Sequence, residues 1–112
     1  MALRDIAEYH AGRRKLAECV PETLAVGAVH EFWKSGHRIY RLDLETPLRK
    51  TTGNCNVTRP FASVRILEVT HVLVDGAPVT RGRYCLLEVF DPQDPTVHFE
   101  GVLRVSKGGP IE

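Results

Sequence analysis

The apolar side chains change their spacing at Pro21, and that change restricts the fold more than any other feature of the chain. Before it, Leu3, Ile6, Ala7 and His10 recur every three to four residues. Leu16, Ala17 and Val20 then resume the pattern at another angle around the axis. Such a period turns one face of an α-helix toward a core. Gly12 falls between the two runs and either ends or weakens the first. Pro21 stops the second, because its ring obstructs the preceding turn and it supplies no N–H. The spacing predicts one broken helix, or two short ones, over Leu3 to Cys19, within a helical segment 1–20.

From Leu24 the period falls to two, which is the spacing of strands. Leu24, Val26, Ala28, His30 and Phe32 alternate along a first strand ending near Trp33, and Lys34-Ser35-Gly36 reads as a turn. Tyr40, Leu42 and Leu44 line one face of the returning strand, with Arg38, Ile39, Arg41, Asp43 and Glu45 on the wetter face. The stretch 47–60 is polar and rich in Thr, Asn and Gly, and at about 14 residues it is longer than ordinary connections. Phe61 to Val74 reads as a third strand whose phase shifts. Ala62, Val64 and Ile66 share one face, and Leu67, Val69, His71 and Leu73 the other. A β-bulge near Ile66 and Leu67 would turn both sets inward and bend the strand.

Asp75-Gly76 is a two-residue hairpin signal, followed by a stub over Ala77 to Thr80. Arg81-Gly82 reads as a second turn, leading into a strand from Tyr84 to Phe90 that is apolar on both faces and hence central or covered. The prolines of Asp91-Pro92-Gln93-Asp94-Pro95 make a loop. Val97 to Val105 alternates as a last strand, before a tail over 106–112.

These elements predict an α+β, mainly β fold: a helical segment packed on a five- to six-stranded antiparallel sheet over 24–105, curled into a small barrel. At 112 residues, 43% hydrophobic and 26% charged, the chain has the size and balance of one globular domain, 1–112. No apolar run reaches the roughly 18 residues of a membrane span. The opening residues carry acids and lack the apolar stretch of a secretory leader. A cytoplasmic protein with no membrane partner is expected.

The residues that carry chemistry form no recognisable set. His30 and His37 flank the predicted first hairpin, but no histidine or carboxylate recurs at a metal-ligand spacing, so no metal is expected. Cys19, Cys55 and Cys85 are far apart and make no CxxC pair. Cys55 stands out because Arg49, Lys50 and Arg59 flank its polar loop, and a positive field lowers a thiol pKa. A small enzyme using Cys55 or a histidine is therefore the third functional reading. Gly53 belongs to neither glycine-rich phosphate-binding pattern. The pairs Asp43/Glu45 and Asp91/Asp94 read as solvated charge. No catalytic residue and no cofactor is assigned.

Charge gives the stronger signal. From Lys34 to Arg65 seven basic residues face two acidic ones, and from Ile66 to Leu103 two basic face six acidic, although the whole chain carries only +1. Faces segregated in this way suit contact with a protein partner or a second copy of the chain, so a non-enzymatic binding or assembly module is the leading reading. The other reading is a small barrel for single-stranded nucleic acid. Trp33 would stack bases there, while Arg38, Arg41, Arg49, Lys50 and Arg59 would meet phosphates.

Overall fold

The computed structural model describes residues 1–51 and 58–90 in full, and residues 97–100 and 103–106 as backbone. Its chain order is β1 (Ala2–Arg4), α1 (Ile6–His10), a 3-10 turn (Leu16–Glu18), β2 (Val29–Ser35), β3 (Glu45–Thr51), β4 (Ala62–Val74), β5 (Ala77–Val89), β6 (Val97–Glu100) and β7 (Leu103–Ser106). Five strands make one sheet in the order β1-β3-β4-β5-β2, and β6 and β7 pair with each other. The fold is mainly β, as the alternation predicts. The sheet is not closed, however: its edges, β1 and β2, have no ladder between them. It is also not wholly antiparallel, because β1 runs parallel to β3.

The N-terminal segment departs most from the sequence reading. Leu3 has helical spacing from Ile6 but lies in β1, fully buried, and the helix covers only five residues. Asp5 decides where the helix starts. Its carboxylate accepts from the Ala7 N–H at 3.0 Å, which satisfies one of the amides a helix start leaves bare. Gly12 ends the helical run with φ +76°. The chain before Asp5 is left to find partners outside itself, and β3 supplies them: Arg49 N–H donates to the Met1 carbonyl at 2.9 Å. Val20 N–H donates to the Arg4 carbonyl at 2.8 Å, bringing the end of the segment beside β1, while the 3-10 turn packs against β2. The segment thus covers the open side of the sheet between its two edges.

The predicted first strand begins late, at Val29, and Val26 is exposed. The predicted return forms no strand before Glu45. Gly36 (φ +84°) makes the turn, but its N–H donates to Pro78 and the chain then crosses the end of β5. The buried Thr80 hydroxyl holds that crossing by accepting from Arg38 N–H and donating to the Gly36 carbonyl, both at 2.7 Å. Only Tyr40 of the expected apolar face meets the core, and Ile39 is 92% exposed. β3 occupies Glu45 to Thr51, so the predicted loop 47–60 begins as strand, with Leu48 fully buried. Cys55 and its neighbours lie outside the described residues.

The hairpin at Asp75-Gly76 forms as predicted, with positive φ at both residues (50° and 80°), the geometry that matches strand twist. The bulge also falls where expected. Ile66 opposes Tyr84 and Glu68 opposes Arg83, leaving Leu67 without a partner. Its consequence differs, since Ala62, Val64 and Ile66 are buried whereas Leu67 and Leu73 stay exposed. β5 runs unbroken through Arg81-Gly82, so that pair is no turn. The alternating run from Val97 to Val105 is two strands in a hairpin, and the loop 91–96 lies outside the described residues. The core gathers Leu3, Phe32, Leu48, Val64, Ile66, Tyr84 and Leu86 from all five strands of the larger sheet.

Candidate functional site

The two edges of the sheet approach each other at a cationic notch. On β2, Trp33 and Lys34 lie opposite Arg81 and Thr80 of β5, which fixes their place along the edge. The Lys34 amine crosses the gap and donates to the Ala2 carbonyl of β1. Arg4 follows on β1, Arg14 comes from the turn after α1, and Arg38 comes from the crossing that Thr80 holds. These residues, with Trp33, Glu18 and Thr51, line a cavity of about 270 Å³. Among the described residues, four cations therefore share a space that one carboxylate lines.

The electrostatics follow from that imbalance. Glu8 takes up part of the charge, binding Arg4 through two contacts of 2.8 Å and approaching Arg14 at 3.8 Å. Glu18 lies 4.0 Å from Arg14. Burial, followed by repulsion from Arg38 and Arg4, pulls the Lys34 amine down to about 8. Lys15 adds a further cation, 5.0 Å from the centre of the Trp33 ring. Low-dielectric walls around same-sign charges focus a field outward, and an anion entering the notch is the natural counterweight.

Arg38 is held from a second direction. His37 and His71 stack with ring centres 4.8 Å apart. Each directs its Nε2 to a backbone carbonyl, His37 to Val72 at 3.2 Å and His71 to Arg38 at 2.7 Å. A carbonyl only accepts, so both nitrogens donate. His37 therefore meets His71 rather than His30, which packs on Tyr84. Among the described residues no group of three or more His, Cys, Asp or Glu is placed to hold a metal ion.

Of the six residues that the sequence suggests for binding, the structure brings Trp33 and Arg38 together in the notch. Arg41 is bound bidentately by Asp43, at 3.0 and 2.7 Å, in an exposed turn. Arg49 and Lys50 lie on β3, Lys50 with Asp5 at 3.5 Å, and Arg59 is exposed just before β4. None of these four lines the notch. Sequence reasoning left out Arg4, Arg14, Lys15 and Lys34 as site residues. The sign of them was the cluster Arg13-Arg14-Lys15, which a helical reading assigns to a solvated face. In the sheet Arg65 lies opposite Glu45 and Arg83 opposite Glu31. A search against protein-family models, curated proteins and solved structures gives no match to the chain.

A larger cleft of about 510 Å³ lies between the 3-10 turn and β2, lined by Leu16, Cys19, Pro21, Val29 and His30 among others. Burial pushes the Cys19 thiol up, away from the reactive thiolate form. The charged groups lining this cleft, Glu22 and Glu31, are acidic, and Glu22 is engaged by His10. The smaller notch is therefore the better site for an anion. No helix among the described residues is long and apolar enough to cross a membrane.

Proposed function

We propose that the protein is a non-enzymatic binding module for single-stranded nucleic acid. It would take backbone phosphates in the notch and a base against the partly exposed ring of Trp33. One observation carries the reading: Arg4, Arg14, Lys34 and Arg38, drawn from separate parts of the chain, line one cavity with the sole tryptophan. Stacking on an aromatic ring beside phosphate-seeking cations is sequence-tolerant recognition, since every base has a face to stack.

The sole tryptophan makes the test direct. Titrating the protein with short single-stranded DNA and RNA homopolymers is expected to quench Trp33 fluorescence. The logarithm of affinity should fall linearly with the logarithm of salt, with a slope of about −2 to −3 for three or four phosphates. Arg14→Glu combined with Arg38→Glu should remove binding while the melting curve stays in place. Arg41→Glu, at a residue already neutralised by Asp43, should change little. Unchanged affinity in the double variant would rule the reading out.

A second reading, contact with a protein partner or a second copy of the chain, draws on a different feature. Leu73 is 69% and Ile39 92% exposed, and Val74 at the hairpin tip is also open to solvent. Apolar groups at the tip of a two-stranded ribbon suit burial against another chain. Light scattering over a hundredfold range of concentration should show the mass rise, and Leu73→Asp should return it to the monomer. A constant monomer mass in the unaltered protein would exclude self-association.

A further inference from the structure

We propose that Lys34 is a reactive amine that captures small aldehydes and 2-oxo acids bearing a phosphate or carboxylate, with Arg14 and Arg38 holding the anionic group. The inference rests on the notch alone and does not require nucleic acid to bind there. Two requirements of imine chemistry are met by placement. The amine must be near its neutral form at ordinary pH, and the carbonyl compound must be held against it.

Placement supplies the first through surroundings that disfavour an ammonium ion. The amine is half-buried on β2, and burial together with repulsion from Arg38, Arg4 and Arg14 disfavours its proton, while Glu18 favours it. Among the described residues the amine forms no salt bridge, and the group it reaches is the neutral Ala2 carbonyl. A neutral amine retains an N–H for that carbonyl, so the hydrogen bond survives deprotonation and leaves the nitrogen lone pair for attack. Desolvation beside other cations is a recognised way to make a lysine nucleophilic.

The cavity supplies the second. Its volume of about 270 Å³ suits a small molecule, and its guanidinium groups are planar forks that match phosphate and carboxylate oxygens. In the step itself, the lone pair of the neutral amine attacks the carbonyl carbon to give a carbinolamine. That adduct loses its hydroxyl with a proton as water and leaves a C=N bond, one water per imine, with no change of oxidation state. The capture is reversible by hydrolysis.

The test uses the full chain with two probes, glyoxylate and pyridoxal 5′-phosphate, each trapped by cyanoborohydride at pH 7.5 and located by peptide mass spectrometry. Lys34 is expected to be labelled at least about tenfold faster than Lys15 or Lys50, with a rate that rises as pH approaches 8 and then levels. Pyridoxal without its phosphate should react at Lys34 about tenfold more slowly than the phosphate ester. Arg14→Gln should narrow that difference. Lys34→Arg should remove the fast adduct with the charge kept. Labelling of Lys34 no faster than Lys15 and Lys50, or no advantage from the phosphate, would overturn the proposal.

Discussion

Gly82→Ala is expected to cost the protein about 3 kcal/mol or more and to lower its melting temperature by on the order of 10 °C. A methyl group built at Gly82 would stand 1.9 Å from the Glu68 carbonyl oxygen and 2.9 Å from Phe32 Cε1. The phenyl ring is a side chain and can move. The carbonyl belongs to β4 just past the bulge, where Val69 opposes Gly82, so relief requires the two central strands to separate. Native stability is only about 5–15 kcal/mol, which makes that a large fraction of the total. Chemical denaturation checks the magnitude. Adding Phe32→Leu to Gly82→Ala should not restore stability, because the nearer obstacle is backbone. A loss below about 1 kcal/mol would mean that β4 and β5 are further apart at the bulge than this packing requires.

The same glycine shows why some of the fold was legible and some was not. The bulge at Leu67 could be read because a phase change within β4 is local information: one strand's own pattern reveals it. The Asp75-Gly76 turn was legible for the same reason. Gly82 answers to the bulge on the opposite strand, and nothing within Arg81-Gly82-Arg83 distinguishes a close approach from a turn. Leu3 makes the point for the N-terminal segment. Its spacing from Ile6 suits a helix, but the Asp5 cap fixes the helix start beyond it and β3 provides an edge for pairing. That edge lies 40 and more residues away in the chain. Barrel closure depends on whether the first and last edges meet, and here the covering segment and the Lys34 side chain stand between them.

The site was legible in kind rather than in place. Trp33 and Arg38 share a stretch of sequence and stay together. Arg41 is lost to Asp43 two residues on, a pairing that a count of charges cannot separate from a free cation. Arg4 and Arg14 reach the notch because the N-terminal segment folds across the gap between β1 and β2. That placement depends on the parallel pairing that local spacing concealed. A basic cluster read from sequence therefore finds the cations but not which of them converge.

Phe32→Ala is the second large effect, about 3–5 kcal/mol. Phe32 is 1% exposed on β2, meets Tyr40 edge-on with ring centres 5.5 Å apart, and tilts against Tyr84 at 6.3 Å. It is the aromatic anchor through which an edge strand and the crossing after Gly36 share one core. Truncation leaves a cavity that the flanking backbone, held by the β5 ladder, cannot collapse to fill. Phe32→Leu keeps much of the apolar volume and loses the aromatic contacts, each worth about 0.5–1.5 kcal/mol, so it should fold. Trp33 is the next residue, and urea unfolding can be followed by its fluorescence and by far-ultraviolet circular dichroism. In the unaltered protein the two transitions should coincide. In Phe32→Ala the fluorescence change is expected at lower urea, because β2 has β5 on one side only and loses its anchor first. Coincident transitions shifted by under 1 kcal/mol would show that β2 is held by its ladder alone, and the notch it carries would then not depend on the core beneath it.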